Sequence, residues 1–130
     1  MRPATKVWLE IANRDLRSAT LLIQDSVLTP MVAFHAQQVV EKSMKSLLEE
    51  KEEKIPRTHD LVRLFTLCEQ YWSLELDQDM LRLLGTLYIE TRYPSEIGLL
   101  PSGRPTESEA RRFVDFARET LDTVRQMLSE

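Results

Sequence analysis

His35, Gln38, Lys42 and Lys45 follow one another at steps of three and four residues. On a helix that spacing brings them onto one stripe. Two ammonium groups, an imidazole and a carboxamide on one face could hold an anion such as a phosphate. The same stripe also fits an ordinary solvated face, with Lys42 and Lys45 paired to Glu41 and Glu49. Thr58-His59-Asp60 heads a predicted helix, where free amides and the helix dipole favour negative charge, or where Thr58 and Asp60 merely cap. Arg92-Tyr93-Pro94 falls at the predicted end of another helix. Arg92 can grip phosphate oxygens in bidentate fashion or simply offset the dipole. The candidate phosphate contacts are therefore Lys42, Lys45 and Arg92, with His35, His59 and Tyr93 orienting or stacking beside Gln38.

Other chemistries find no footing. The chain has only two histidines, and no zinc-ligand spacing is present. There is no glycine loop to cradle phosphate and no nucleophile elbow. No catalytic residue, metal or cofactor is assigned. The single cysteine, Cys68, lies on the apolar stripe Leu61, Leu64, Phe65, Cys68, so an inert buried thiol is expected. One cysteine permits no internal disulfide, which suits a reducing compartment.

The elements that must position these residues read as helices. Trp8, Ala12, Leu16, Ala19, Leu22 and Ile23 recur at helical spacing over about Thr5 to Gln24. Pro30 opens a second helix to Glu50, with an apolar row Ala33, Ala36, Val40, Met44, Leu47 and a second row Val32, Ala36, Val39. Glu49 to Lys54 reads as a frayed, solvated end before Pro56. A third helix is predicted from a Thr58 cap to near Gln70, and a fourth over Asp77 to Arg92 with Tyr88 on its apolar side. Tyr93 to Pro105 holds three prolines and two glycines, and is a long loop. Thr106-Glu107-Ser108-Glu109 matches the capping box that starts the last helix. Arg111, Asp115, Arg118, Asp122 and Arg125 supply ion pairs along it.

The fold class that follows is all-α: an up-and-down bundle of about five helices in one domain, residues 1–130. With 42% hydrophobic and 29% charged residues the composition is that of a globular protein. A net charge of −4 means that a polyanion would need a local basic patch. No stretch is apolar and long enough to span a membrane, and no signal-peptide core opens the chain, so the cytoplasm is expected. The two apolar rows of the second helix exceed what a small bundle readily covers, so a homodimer is expected.

Taken in order, Trp8…Ala12…Asp15-Leu16…Ala19…Leu22, then Phe34-His35-Ala36-Gln37-Gln38 with Glu41-Lys42 and Lys45, then Thr58-His59-Asp60-Leu61 and Arg92-Tyr93-Pro94, the chain resembles the HEPN domain family, named for nucleotide binding in higher eukaryotes and prokaryotes. The resemblance implies a bundle of about five helices, often dimeric through its long helices. It also implies pairing with a minimal nucleotidyltransferase, in some cases as a toxin–antitoxin system, and a nucleotide or RNA ligand. One branch of the family consists of metal-independent ribonucleases that carry arginine followed, four to six residues later, by histidine. Here no arginine stands at that distance before His35 or His59; Lys54 lies five before His59, and Arg57 is too near. The expectation is a non-catalytic module. The alternatives are a ribonuclease using His35 or His59, and a purely structural dimerising bundle.

Overall fold

The computed structural model describes residues 1–129. Five α-helices account for most of them: α1 (Pro3–Leu22), α2 (Thr29–Glu50), α3 (Leu61–Cys68), α4 (Gln78–Gly85) and α5 (Glu107–Ser129). No strand occurs among the described residues, only an isolated bridge between Leu100 and Gly103. The all-α expectation holds.

Helix α2 is the axis of the bundle, with α1, α5 and α3 packed around it. Val32, Ala33, Ala36, Val39, Val40, Met44 and Leu47 are all fully buried. Small residues on both sides, Ala12 and Ala19 of α1 and Ala33 and Ala36 of α2, let helix backbones approach closely. Phe113, Ala117, Leu121 and Val124 of α5 close the core from the opposite side. Truncating a residue such as Leu47 here costs about 2–5 kcal/mol. Both apolar rows of α2 are thus covered within one chain. The surplus surface that suggested a second copy does not exist.

The starts and stops are set by side chains. Asp25 accepts from the Val27 amide and begins a 3-10 turn, Ser26–Leu28, ahead of α2. Glu50, expected to be solvated, instead accepts from the Arg2 amide at 2.9 Å and the Thr5 hydroxyl at 2.9 Å, tying the end of α2 to the start of α1. The capping box is reciprocal: Thr106 N–H donates to Glu109 Oε1 at 2.9 Å, and Glu109 N–H to Thr106 Oγ1 at 3.0 Å. Along α5 only the Arg118–Asp115 pair forms among the described residues, at 3.4 Å.

Two boundaries differ from the sequence reading. Asp60, not Thr58, caps α3, accepting from the Arg63 amide at 3.1 Å; Thr58 Oγ1 accepts from Asp60 N–H just before it. Helix α4 ends at Gly85, well short of Arg92. Thr86 caps this end: its backbone N–H and its hydroxyl both donate to the Leu83 carbonyl. Beyond it Tyr88 exchanges hydrogen bonds with Leu99 and Gly98 rather than continuing the helix. Tyr88 is consequently 49% exposed instead of covering the core. Gly98 is required: at φ +80, a Cβ would lie 1.9 Å from the Pro30 carbonyl oxygen. Arg104 fastens the far end of this loop through the Ser26 and Val27 carbonyls.

Cys68 is buried against the Met44 carbonyl at 3.3 Å, and burial pushes its thiol up to about 12. It is the inert core thiol expected from its stripe.

Candidate functional site

The polar stripe of α2 is not a solvated face. It forms a half-buried band in which each cation meets a carboxylate. Asp15, on α1 between the buried Ala12 and Ala19, takes His35 Nδ1 at 2.9 Å on one oxygen and Lys42 Nζ at 2.8 Å on the other. Burial pushes the Asp15 carboxyl up, but the hydrogen bonds from His35 and Lys42 together outweigh it, and the net direction is down. Further along, Lys45 Nζ lies 3.0 Å from Glu41 Oε2 and 5.7 Å from the centre of the Trp8 ring. Gln38 donates to Gln37, and Gln37 donates to the His59 carbonyl at 3.0 Å, joining α2 to the segment that enters α3.

His59 is where the band reaches the surface. Its Nδ1 lies 2.5 Å from Glu41 Oε1 and its Nε2 2.9 Å from Glu90 Oε1. Ionised carboxylates only accept hydrogen bonds, so this geometry is satisfied when both ring nitrogens carry hydrogen. Partial burial disfavours the imidazolium, yet the bonds to Glu41 and Glu90 outweigh that, and the His59 pKa is raised. Glu41 itself is 3% exposed and serves two cations at once.

Beside His59 opens a cleft of about 520 Å³, whose walls are Arg57 to Asp60 on one side and Gly85 with Leu87 to Glu90 on the other. Its polar groups include an imidazole, one guanidinium, the Thr58 hydroxyl and the carboxylates of Asp60 and Glu90, next to the Tyr88 ring. Such a lining can hold a planar, hydroxyl-bearing molecule better than it can hold a bare anion.

Five of the seven candidate residues, His35, Gln38, Lys42, Lys45 and His59, therefore lie on the one band. The structure does not bring Arg92 and Tyr93 to it. Neither lines the cleft at His59: both Arg92 and Tyr93 are exposed in the loop after α4. Tyr93 N–H donates to Thr91 Oγ1, and Arg92 forms no ion pair among the described residues. The candidate site lacked Asp15, Gln37 and Glu90, and Glu41 entered only as a surface partner of the lysines. Two signals were available: Asp15 interrupts the buried stripe of α1, and Glu41 stands four before Lys45. No group of three or more histidine, cysteine, aspartate or glutamate side chains suited to a metal ion occurs among the described residues.

Comparison with known proteins places this arrangement. The fold is similar to the crystal structure of TT1696 from Thermus thermophilus, with a TM-score of 0.74 and 26% identity over 96% of this chain and 98% of that one. It is also similar to an archaeal HEPN homologue, ST0689, with a TM-score of 0.64 and 20% identity over 98% of each chain. No curated protein matches. The HEPN domain model matches residues 5–127, nearly the whole chain, and the protein belongs to the HEPN domain family.

Proposed function

We propose that this HEPN protein is a non-catalytic module that binds a nucleotide in the cleft beside His59. The observation that carries the reading is the lining of that cleft: an exposed aromatic ring, Tyr88, facing hydrogen-bonding groups of both signs. A base stacks on Tyr88, while the carboxylates of Asp60 and Glu90 accept from ribose hydroxyls or an exocyclic amine. His59 orients the ligand, and its own position is held by Glu41, Lys45 and the Gln37–Gln38 pair. His35 and Lys42 anchor the other end of the band through Asp15. Arg92, two residues beyond Glu90, and Tyr93 remain available to close over a bound molecule from the loop.

Calorimetric titration with ATP and GTP tests the site. Replacing Tyr88 by alanine should weaken binding by about tenfold or more, the usual value of one stacked base. Unchanged affinity in both Tyr88→Ala and His59→Ala would reject it. The reading includes a homodimer and docking of a minimal nucleotidyltransferase, in a toxin–antitoxin type of system. Family membership supports both, and sedimentation at high concentration checks the first.

A second reading, metal-independent ribonuclease activity, rests on one observation: His59 and Arg57 line the same open cleft. Histidine can move the proton of a ribose hydroxyl while arginine steadies charge on phosphate. RNA incubated with the parent protein and excess chelator decides it. Inactivity rejects the idea; cleavage lost in His59→Ala supports it.

A further inference from the structure

Next to the cleft at His59 lies a second concavity that the polar band does not enter. It measures about 690 Å³ and is lined by Lys54, Ile55, Pro56, Arg57, Arg63 and Leu67. Arg57 lines both. Three of the six lining residues are cationic and none is acidic. Among the described residues, none of the three cations takes part in an ion pair. The acidic residues close by in sequence have other work: Glu53 accepts from the Tyr71 hydroxyl at 2.8 Å, and Asp60 caps α3. In a chain of net charge −4, three unpaired cations around one apolar floor are a local reversal of the mean field.

We infer that this groove is a binding site for a short chain of phosphates. The floor of Ile55, Pro56 and Leu67 offers no side-chain hydrogen bonds, so recognition falls to the cations on the walls. Two are guanidinium groups, whose planar fork matches phosphate oxygens in bidentate fashion. Lys54 adds a point charge from the loop before α3. Single-stranded nucleic acid would want ring faces for its bases along the groove, and none lines it. Because Arg57 borders both concavities, the phosphate tail of a nucleotide seated by Tyr88 is one source of the ligand. In that form the inference deepens the function proposed above and rests on it. Free oligophosphate is the other source, and it requires nothing of the neighbouring cleft.

Titration calorimetry at low salt, on the full-length protein, tests the inference with inorganic tripolyphosphate and orthophosphate. Tripolyphosphate should bind about tenfold or more tighter than orthophosphate, and the Arg57→Ala/Arg63→Ala double variant should lose at least about that factor. The variant's thermal melt should be that of the parent, because the two guanidinium groups hold no partner. Three results overturn the site: no binding of tripolyphosphate, equal binding by the double variant, or tighter binding of an oligoglutamate peptide of similar charge. ATP against AMP separates the sources. A preference for ATP that disappears in the double variant identifies a nucleotide tail. Tripolyphosphate binding with no nucleotide binding at all supports free oligophosphate and removes the reading of the Tyr88 cleft. Equal ATP and AMP affinity without tripolyphosphate binding leaves that reading standing and ends this one.

Discussion

Lys42 and Lys45 stand within about a dozen residues of Lys54 and Arg57, yet the two pairs live in opposite surroundings. The first two are covered and matched to carboxylates, at 2.8 Å on Asp15 and 3.0 Å on Glu41. The second two line an open groove with Arg63 and, among the described residues, pair with no carboxylate. A stripe of cations on a helix thus marks a ligand site only when no anion of the protein already occupies it. Along α2 the helix spacing collected the charges, and packing against α1 then neutralised them. At the groove before α3, the helix that borders it brings Arg63, a third cation, and no carboxylate to the lining. The band contributes to holding the fold; the groove is left to meet a partner.

The largest effect expected on this contrast comes from Glu41. Glu41→Ala leaves the buried Lys45 ammonium and one nitrogen of His59 without an acceptor. Breaking one side of a buried pair costs about 3–5 kcal/mol. Urea denaturation measures it. The double replacement Glu41→Met with Lys45→Met should recover most of the loss, because two well-packed apolar side chains leave no orphan charge. A single variant within about 1 kcal/mol of the parent, by the same scale of magnitudes, would show that the band does not hold the fold.

Asp15 comes next. Asp15→Asn keeps the shape but gives up the charge opposite Lys42 and His35, at about 1.5–3 kcal/mol for hydrogen bonds to charged groups. The acid limb gives an independent check. The folded pKa of Asp15 lies below its ordinary value, so its contribution is complete above about pH 4. It drains away as the pH falls through the lower, folded value. Asp15→Asn should flatten that part of the stability profile, read from the melting temperature between about pH 5 and pH 2.

How far the sequence carries depends on whether a contact is local. Helices α1, α2 and α5 follow directly from periodicity and the capping box. Their ends move by only a few residues, because helix stops at Leu22 and Glu50 are written in nearby proline, acidic and turn residues. Helix α4 misled because Leu87, Tyr88 and Ile89 keep the apolar rhythm after Gly85. What ends the helix is the pairing of Tyr88 with Leu99 and Gly98, about ten residues on, and a window along the chain does not see it. The site divides in the same way. Four members of the band were legible as a helical stripe. Their neutralisation by Asp15 needed the register of α1 on α2, and the meeting of His59 with Glu90 needed the fold of a loop. Arg92 lost its place at a helix end for the reason that α4 is short.

His59 marks the boundary between the two regions, and its effect should be smaller and of opposite sign in pH. Its folded pKa is raised, so the stabilisation from its bonds to Glu41 and Glu90 is fully present below about pH 6.5. It is lost as the pH rises through the higher, folded value. The melting temperature should decline over that interval in the parent and stay level in His59→Gln. Glu90→Gln should narrow the interval without abolishing it, since Glu41 remains. A parent whose melting temperature does not change from about pH 6 to pH 9 would show that His59 is not held as the cation.

The smallest expected change is the most useful one for the contrast. Arg63→Ala and Arg57→Ala should each alter the unfolding free energy by no more than about 0.5 kcal/mol, as surface replacements without partners do. Removing either guanidinium also relieves repulsion among three like charges around one groove, so the sign should lean towards stabilisation. That repulsion is screened by salt, and the gain should shrink between low salt and about 0.5 M, where the Debye length is only a few ångströms. Loss of more than about 1 kcal/mol in either variant, twice the usual surface value, would mean that the guanidinium has a partner in the folded protein. The groove would then belong with the neutralised band of α2. Stability left intact, with phosphate binding lost, is the pattern of positive charge kept in place for a ligand.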